Sequence, residues 1–313
     1  MRCEPGKTCF GQHYVDIDPT PAALDYTCGG ATYNGHNGID IRLLSAAAAK
    51  RGVDVLAAAD GRVLRRRDGV RDAFAREAGK SAITDRECGN GLIVAHDGGL
   101  ETQYCHLLLG SVVVAPGQAV RRGQPLGKVG YSGRADFAHL HFTVRRGSRI
   151  VDPFTGRDFP AGSAGAPALD SAVCDPAAAR DSLWDFASGL RLTYLPAEII
   201  QTGFAATIPD WAGLEHDHEA YAPPSKQCAD LVVFARLINL GADDRVRFRL
   251  SGPGGFDMVH TSEPPGRAKA IFVAGAGQRA KPAGWSGGRY RAEIAILRAG
   301  RVIATARTEH IMP

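Results

Sequence analysis

The chain has 313 residues, of which 44% are hydrophobic and 22% charged, and a formal net charge of +4. That is ordinary globular composition, and at ~150 residues per domain it suggests two domains. No apolar run approaches the ~18–20 residues of a membrane helix, "SVVVA" (111–115) and "SAAAAK" (45–50) being far too short, and no basic helix or aromatic-interleaved basic patch argues for nucleic acid. The mild positive charge is compatible with an anionic envelope polymer.

Residues 1–30 read as an irregular, cysteine-containing segment, with "DIDPTPAALDY" as loop. From residue 31 the pattern changes to short strands and turns. "GIDIRLL" (38–44) starts one strand, and "VDVLAAADGRVLRR" (53–66) reads as two short strands about an Asp60-Gly61 turn. Residues 67–90 are charged and small and read as a surface insertion with a helical turn at "RDAFAREAG". "GLIVAHDGGLETQYCHL" (91–107) reads as a hairpin about Asp97-Gly98-Gly99. Glycines at short intervals in 112–133 fit a tightly turned antiparallel sheet. The segment "HLHFTVRRGSRIVDPF" (139–154) follows. Ala, Pro, Gly and Ser dominate 156–180, which reads as a linker. Beyond it, Val246, Phe248 and Leu250 alternate with Arg245, Arg247 and Arg249, and 290–308 reads as a hairpin about Ala299-Gly300. Such strand spacing predicts a C-terminal β-sandwich of the immunoglobulin or fibronectin kind over 181–313.

The seven cysteines are Cys3, Cys9, Cys28, Cys88, Cys105, Cys174 and Cys228. None forms the paired C-x-x-C knuckles of a structural zinc site, so disulfides and an oxidising compartment are expected. The expected pairs are Cys88 with Cys105 and Cys174 with Cys228, with the rest near the N-terminus and one thiol left over. No signal peptide is visible in "MRCEPGKTCF". Given the cysteines, a periplasmic or secreted protein whose signal has been removed is expected.

Histidine placement carries the chemistry. His139 and His141 in "AHLHF" sit two apart, and alternate strand residues share a face at roughly 6–7 Å. Two imidazoles buried together need a partner, and a metal is one. "HNGID" adds His36 and Asp40. Fully extended they lie roughly 13 Å apart; Asn37-Gly38 between them lets the chain fold back. Hydrolytic zinc keeps three protein ligands and one water. His36, Asp40 and one member of the His139/His141 pair meet that count, with the choice of member left open. The spare histidine then lies beside the metal, where a general base or oxyanion partner belongs, and His106 ends a strand that could face the same site. Other histidines fit blander roles: His96 a solvated turn position, and His216 and His218 of "EHDHE" a solvated loop. Tyr104 and Tyr131 read as packed strand residues. A Cys105–His106 dyad is not expected, because strand neighbours point to opposite faces.

The order H-x₃-D, Y-x-H-L, a glycine-punctuated stretch and H-L-H-F resembles the lysostaphin-type zinc metallopeptidases, or LytM domains, over about residues 31–155. "VLAAADGRV", "GNGLIVAH" and "VVVAPGQAVRRGQPLGKVGYSG" resemble that family too. The resemblance implies a mainly β protein with a small antiparallel β-sheet LytM-like peptidase domain over 31–155. It implies one Zn2+ ion held by His36, Asp40 and His141, with His106 and His139 as the catalytic histidines. The activity it implies is hydrolysis of peptide cross-links in bacterial peptidoglycan through a zinc-activated water, with stem peptides as partners. Two other readings stay open: a non-catalytic LytM-like activator of cell-wall amidases, and a structural metal-binding envelope protein. The C-terminal domain, outside the resemblance, could bind glycan, position substrate, dock an envelope protein or act as a spacer.

Overall fold

The computed structural model describes residues 1–160, 181–184, 194–280, 282 and 284–313. The chain divides into two compact units, Met1–Tyr194 and Leu195–Pro313. Both are built from antiparallel strands.

The first unit contains β1 (Cys9–His13), β2 (Ile39–Leu43), the short helix α1 (Ala46–Lys50), β3 (Asp54–Leu56) and β4 (Gly61–Arg67). Helices α2 (Ala75–Ala78) and α3 (Lys80–Ile83) follow, then β5 (Asn90–Ala95), β6 (Leu100–Leu107), β7 (Ala119–Val120), β8 (Pro125–Lys128), β9 (His139–Arg146), β10 (Arg149–Val151) and β11 (Asp158–Pro160). The main sheet runs β1-β2-β9-β6-β5-β4-β7, with β10 and β11 joined beside β9. Alternation divides its faces. Ile39, Ile41 and Leu43 of β2, Leu140, Phe142 and Val144 of β9, and Tyr104 of β6 enter the hydrophobic core. Asp40, Arg42, His139, His141 and Thr143 occupy the alternate positions. The hairpin of β5 and β6 forms as the alternating pattern predicts. By contrast, β3 and β4 do not pair with each other; β3 pairs with β8, and β4 with β5 and β7.

Residues 1–30 are neither wholly irregular nor a separate segment. β1 is the edge strand of the main sheet, antiparallel to β2, and Cys3–Cys9 closes a disulfide at its start. The Cys88–Cys105 disulfide joins the 67–90 insertion to β6. That insertion is anchored by Phe74, fully buried, whose ring lies 4.9 Å from that of Tyr131. Cys228 is a free thiol, which corrects the expected Cys174–Cys228 pair; Cys174 itself lies outside the described residues, and Cys28 is disulfide-bonded. Most of the expected 156–180 linker also lies outside them. The division between units falls at 194/195 rather than at 181. Its physical reason is aromatic packing: Trp184 lies 5.8 Å from Phe154, and Tyr194 5.2 Å from Tyr14, ring to ring.

The second unit contains β12 (Glu198–Ala205), α4 (Trp211–His216), β13 (Asp230–Leu240), β14 (Arg245–Gly252), β15 (Phe256–Thr261), β16 (Lys269–Arg279), β17 (Gly288–Arg298) and β18 (Arg301–Met312). A three-stranded sheet, β12-β13-β16, and a four-stranded one, β15-β14-β17-β18, share a core that includes Leu231, Val233 and Leu237 from the first and Val246, Phe248, Leu250 and Ile294 from the second. This is the β-sandwich expected from the alternation. Ala299 (φ 48°) and Gly300 (φ 76°) both adopt left-handed angles between β17 and β18, the two-residue turn whose twist suits a hairpin. In "EHDHE", Glu215 is fully buried against Arg236 of β13, while His218 has Asp217 and Glu219 at 4.0 Å.

Candidate metal centre

Three neighbouring strands deliver the predicted residues to one place. β2 and β9 pair with Asp40 directly opposite His141, and β6 sets Cys105 opposite His141 from the other side. Residues opposite one another in antiparallel strands share a face with Cβ atoms ~5 Å apart. His139 joins them by the period of two. His36 reaches the site from the loop before β2. There Gly38 is required by close approach rather than by a left-handed backbone: a Cβ on it would lie 2.7 Å from His141 Nε2 and from Phe142 O.

The nearest-neighbour geometry centres on one carboxylate oxygen. Asp40 Oδ1 lies 2.8 Å from His141 Nδ1, 3.2 Å from His36 Nε2 and 3.5 Å from His139 Nε2. His36 Nε2 and His141 Nδ1 are 3.2 Å apart. One donor atom each from His36, Asp40 and His141 lies within 4.8 Å of the other two, the one group of this kind among the described residues.

The outer nitrogens settle which atoms face inward. Carbonyl oxygens only accept, so each ring nitrogen against one carries the proton. His36 Nδ1 donates to Tyr14 O at 2.7 Å. His139 Nδ1 donates to Phe137 O, and His106 Nδ1 to Ser132 O, both at 2.8 Å. His141 Nε2 faces Asn37 Oδ1 and Thr143 Oγ1, both at 3.0 Å. In the neutral rings the inward atoms are therefore bare: Nε2 of His36, His139 and His106, and Nδ1 of His141. Three lone-pair atoms of His36, Asp40 and His141 turned on one another could hold a metal ion between them. Two imidazoles and one carboxylate are the donor set of a hydrolytic zinc site, with outer partners that lock the tautomer.

His106 reaches this face through an unusual backbone. Its φ is +61°, a left-handed angle rare for a non-glycine residue. That angle breaks the strand alternation, and its ring lies 4.5 Å from that of His139 and 5.9 Å from that of His141. The Cys88 carbonyl accepts from His106 N at 2.8 Å, so the disulfide-linked insertion helps hold the bend. Cys105 is bonded to Cys88 and supplies no thiol to this histidine.

Burial dominates the electrostatics. It would push the Asp40 carboxyl up, but the surrounding His36, His139, His13 and His141 hold it well below the usual carboxylate range. Burial lowers His139 to about 4, against the opposing pull of Asp40. His106 is pushed well below the ordinary value, by burial first and by His139 and His141 next. Both rings are neutral at pH 7, with Nε2 able to take a proton.

His36, Asp40, His106, His139 and His141 thus converge. Tyr104 and Tyr131 pack in the core, and Tyr104 Oη accepts from Ala58 N at 2.9 Å. His96 is not simply solvated: its ring bridges Asp60 O and Thr102 Oγ1, each at 2.7 Å. His13 was missed. Its Nδ1 lies 3.0 Å from Asp40 Oδ2, and both side chains are buried. The alternation of Phe10 and Gln12 with the small Cys9 and Gly11 in "CFGQHYV" is a local signal for that strand, and it lies between prolines that read as loop.

A peptidoglycan DD-endopeptidase of Vibrio cholerae, ShyB, is 41% identical over 64 residues, 20% of this chain and 15% of that relative. The DD-carboxypeptidase/endopeptidase Mpg of Neisseria meningitidis is 34% identical over 122 residues, 39% of this chain and 23% of that relative. The chain thus spans less than a quarter of the length of either. The catalytic domain of lysostaphin from Staphylococcus simulans is 20% identical over 44% of this chain and 85% of that one, with a TM-score of 0.29. Residues 34–153 match the model of peptidase family M23, and this part of the chain is a domain of that lysostaphin-type family.

Proposed function

We propose that the chain is a zinc metalloendopeptidase that hydrolyses peptide cross-links of bacterial peptidoglycan. His36, Asp40 and His141 hold one zinc ion, and His106 and His139 are the catalytic histidines. The observation that carries this reading is the convergence of three bare donor atoms within 4.8 Å, flanked by two neutral histidines whose tautomers leave Nε2 free. When bound, zinc supplies a Lewis acid that acidifies water and polarises a carbonyl.

The chain's own residues do the rest. Phe137 O keeps the His139 proton on Nδ1, so Nε2 accepts the proton released as water adds to the scissile carbonyl. The protonated ring is then a donor, first toward the oxyanion and finally to the departing amine nitrogen, which balances the hydrolysis. Ser132 O prepares His106 in the same way. The two histidines divide these roles, and their near-equivalent geometry leaves the division to experiment. Peptidoglycan as substrate rests on the family of residues 34–153 and on the activities named for ShyB and Mpg. The disulfides Cys3–Cys9 and Cys88–Cys105 support a place outside the cytoplasm. No helix among the described residues is long and apolar enough to cross a membrane.

The test is digestion of purified peptidoglycan by the zinc-loaded protein, with new amino termini in the released peptides identified by mass spectrometry. Fragments that vanish with a chelator and return with zinc support an endopeptidase. A zinc-bearing protein that cleaves no wall, yet stimulates a cell-wall amidase, replaces this reading with the activator one.

A further inference from the structure

The two oxygens of Asp40 have different neighbours. Oδ1 faces His36, His139 and His141. Oδ2 is approached from the opposite side by His13 Nδ1 at 3.0 Å. A carboxylate only accepts hydrogen bonds, so His13 Nδ1–H is the donor. The contact is built rather than incidental. His13 pairs with Asp40 across β1 and β2, and the register slips by one residue between Gly11 and His13. That bulge re-aims the side chain after it. The residue it displaces, Gln12, is held by Arg42 Nη1, which donates to Gln12 Oε1 at 2.8 Å.

The next residues act on the other end of the same motif. Tyr14 O accepts from His36 Nδ1 at 2.7 Å, and Asp16 N donates to His36 O at 2.8 Å. Asp16 Oδ2 accepts from Gly35 N at 2.8 Å. Residues 13–16 therefore run alongside 35–40 and touch both His36 and Asp40, although they lie outside the family match at 34–153.

We propose that His13 is a positioning residue of the metal centre: it occupies Asp40 Oδ2 and so turns Oδ1 alone toward the ion, while the Tyr14 carbonyl fixes the His36 ring. The physical basis is orientation. A carboxylate with both oxygens free can rotate or bind an ion through either or both. One whose outer oxygen is already bonded is committed before the ion arrives. The inference rests on His36, Asp40 and His141 holding zinc, and its test separates the two claims.

The measurement is zinc affinity, by competition with a chromogenic chelator, on the full chain, His13→Leu and His13→Asn. Leu fills the site without a donor; Asn places an amide N–H where His13 carries Nδ1–H. His13→Leu should bind zinc about 10–100-fold more weakly, and His13→Asn within about threefold of the parent. The d–d spectrum of the cobalt-substituted protein should change with Leu and not with Asn, a response that mere packing does not produce. Equal affinity in His13→Leu and the parent overturns the proposal, as does His13→Asn binding as weakly as His13→Leu. Should His13→Leu fail to fold, His13→Ser, too short to reach Oδ2, replaces it with the same expected weakening. A parent chain that binds no zinc overturns the metal reading itself, and this proposal with it.

Discussion

The two units bury charge in opposite ways. In the first, one carboxylate, Asp40, has His13 on Oδ2, while nitrogens of His36, His139 and His141 all face Oδ1. In the second, Glu215 is matched to Arg236 inside the sandwich, and both side chains are fully buried. The second arrangement is closed: the cation is covalently part of the fold. The first is open: ligand atoms of His36, Asp40 and His141 turn on one another and could hold a metal ion from solution. A buried charge thus marks a site when its partners are themselves acceptors, and a structural pair when they are not.

The largest effect should come from breaking the open centre. Asp40→Ala should abolish both bound zinc and peptide release, well beyond the ~10–100-fold that an outer partner carries; metal analysis and peptidoglycan digestion on one preparation check this. Breaking the closed pair should instead cost stability. Arg236→Met removes the cation that Glu215 is buried against, and the sandwich should lose about 3–5 kcal/mol in denaturant unfolding. Replacing both residues by apolar ones should restore most of that, and neither change should alter zinc binding. Reduction of Cys88–Cys105, which closes a loop of 17 residues, should cost the first unit about 3 kcal/mol, and it should loosen the backbone bend at His106.

The smallest effect sharpens the comparison with a carboxyl, Glu198, that has no charged partner among the described residues. Burial alone pushes Glu198 on β12 up to about 7 from an ordinary 4.5. Between those values the native state keeps a proton that the unfolded chain has released. Stability should therefore fall as pH rises from about 4.5 to 7, by roughly 1–2 kcal/mol. Glu198→Gln should flatten that slope, and urea midpoints measured across this range decide it.

Much of the open centre is legible in the chain because its residue types and spacings are local. H-x-H on a strand has one geometry, and His36 and Asp40 are separated by a glycine that close approach to His141 demands. The choice between His139 and His141 is not local. It follows from register, since β2 sets Asp40 opposite His141 rather than His139. The place of His106 depends on a positive φ that no neighbouring glycine announces. His13 is least legible: its contact with Asp40 spans 27 residues, and "FGQHY" has no ligand spacing of its own. In the second unit the alternation of β14 and the Ala299-Gly300 turn both form as read, because each is dictated by neighbours in sequence. The end of the first unit at Tyr194 is not local either, since Trp184 and Tyr194 pack with aromatic residues far away in sequence.

The most direct test of the account measures zinc stoichiometry and peptide release on the same samples of wild type and His139→Ala. His139 contributes Nε2 to the centre without belonging to the three-donor group, so the account predicts about one zinc in each protein and peptide release by wild type alone. A wild-type chain without zinc, or a His139→Ala chain that releases peptides at the wild-type rate, would contradict it.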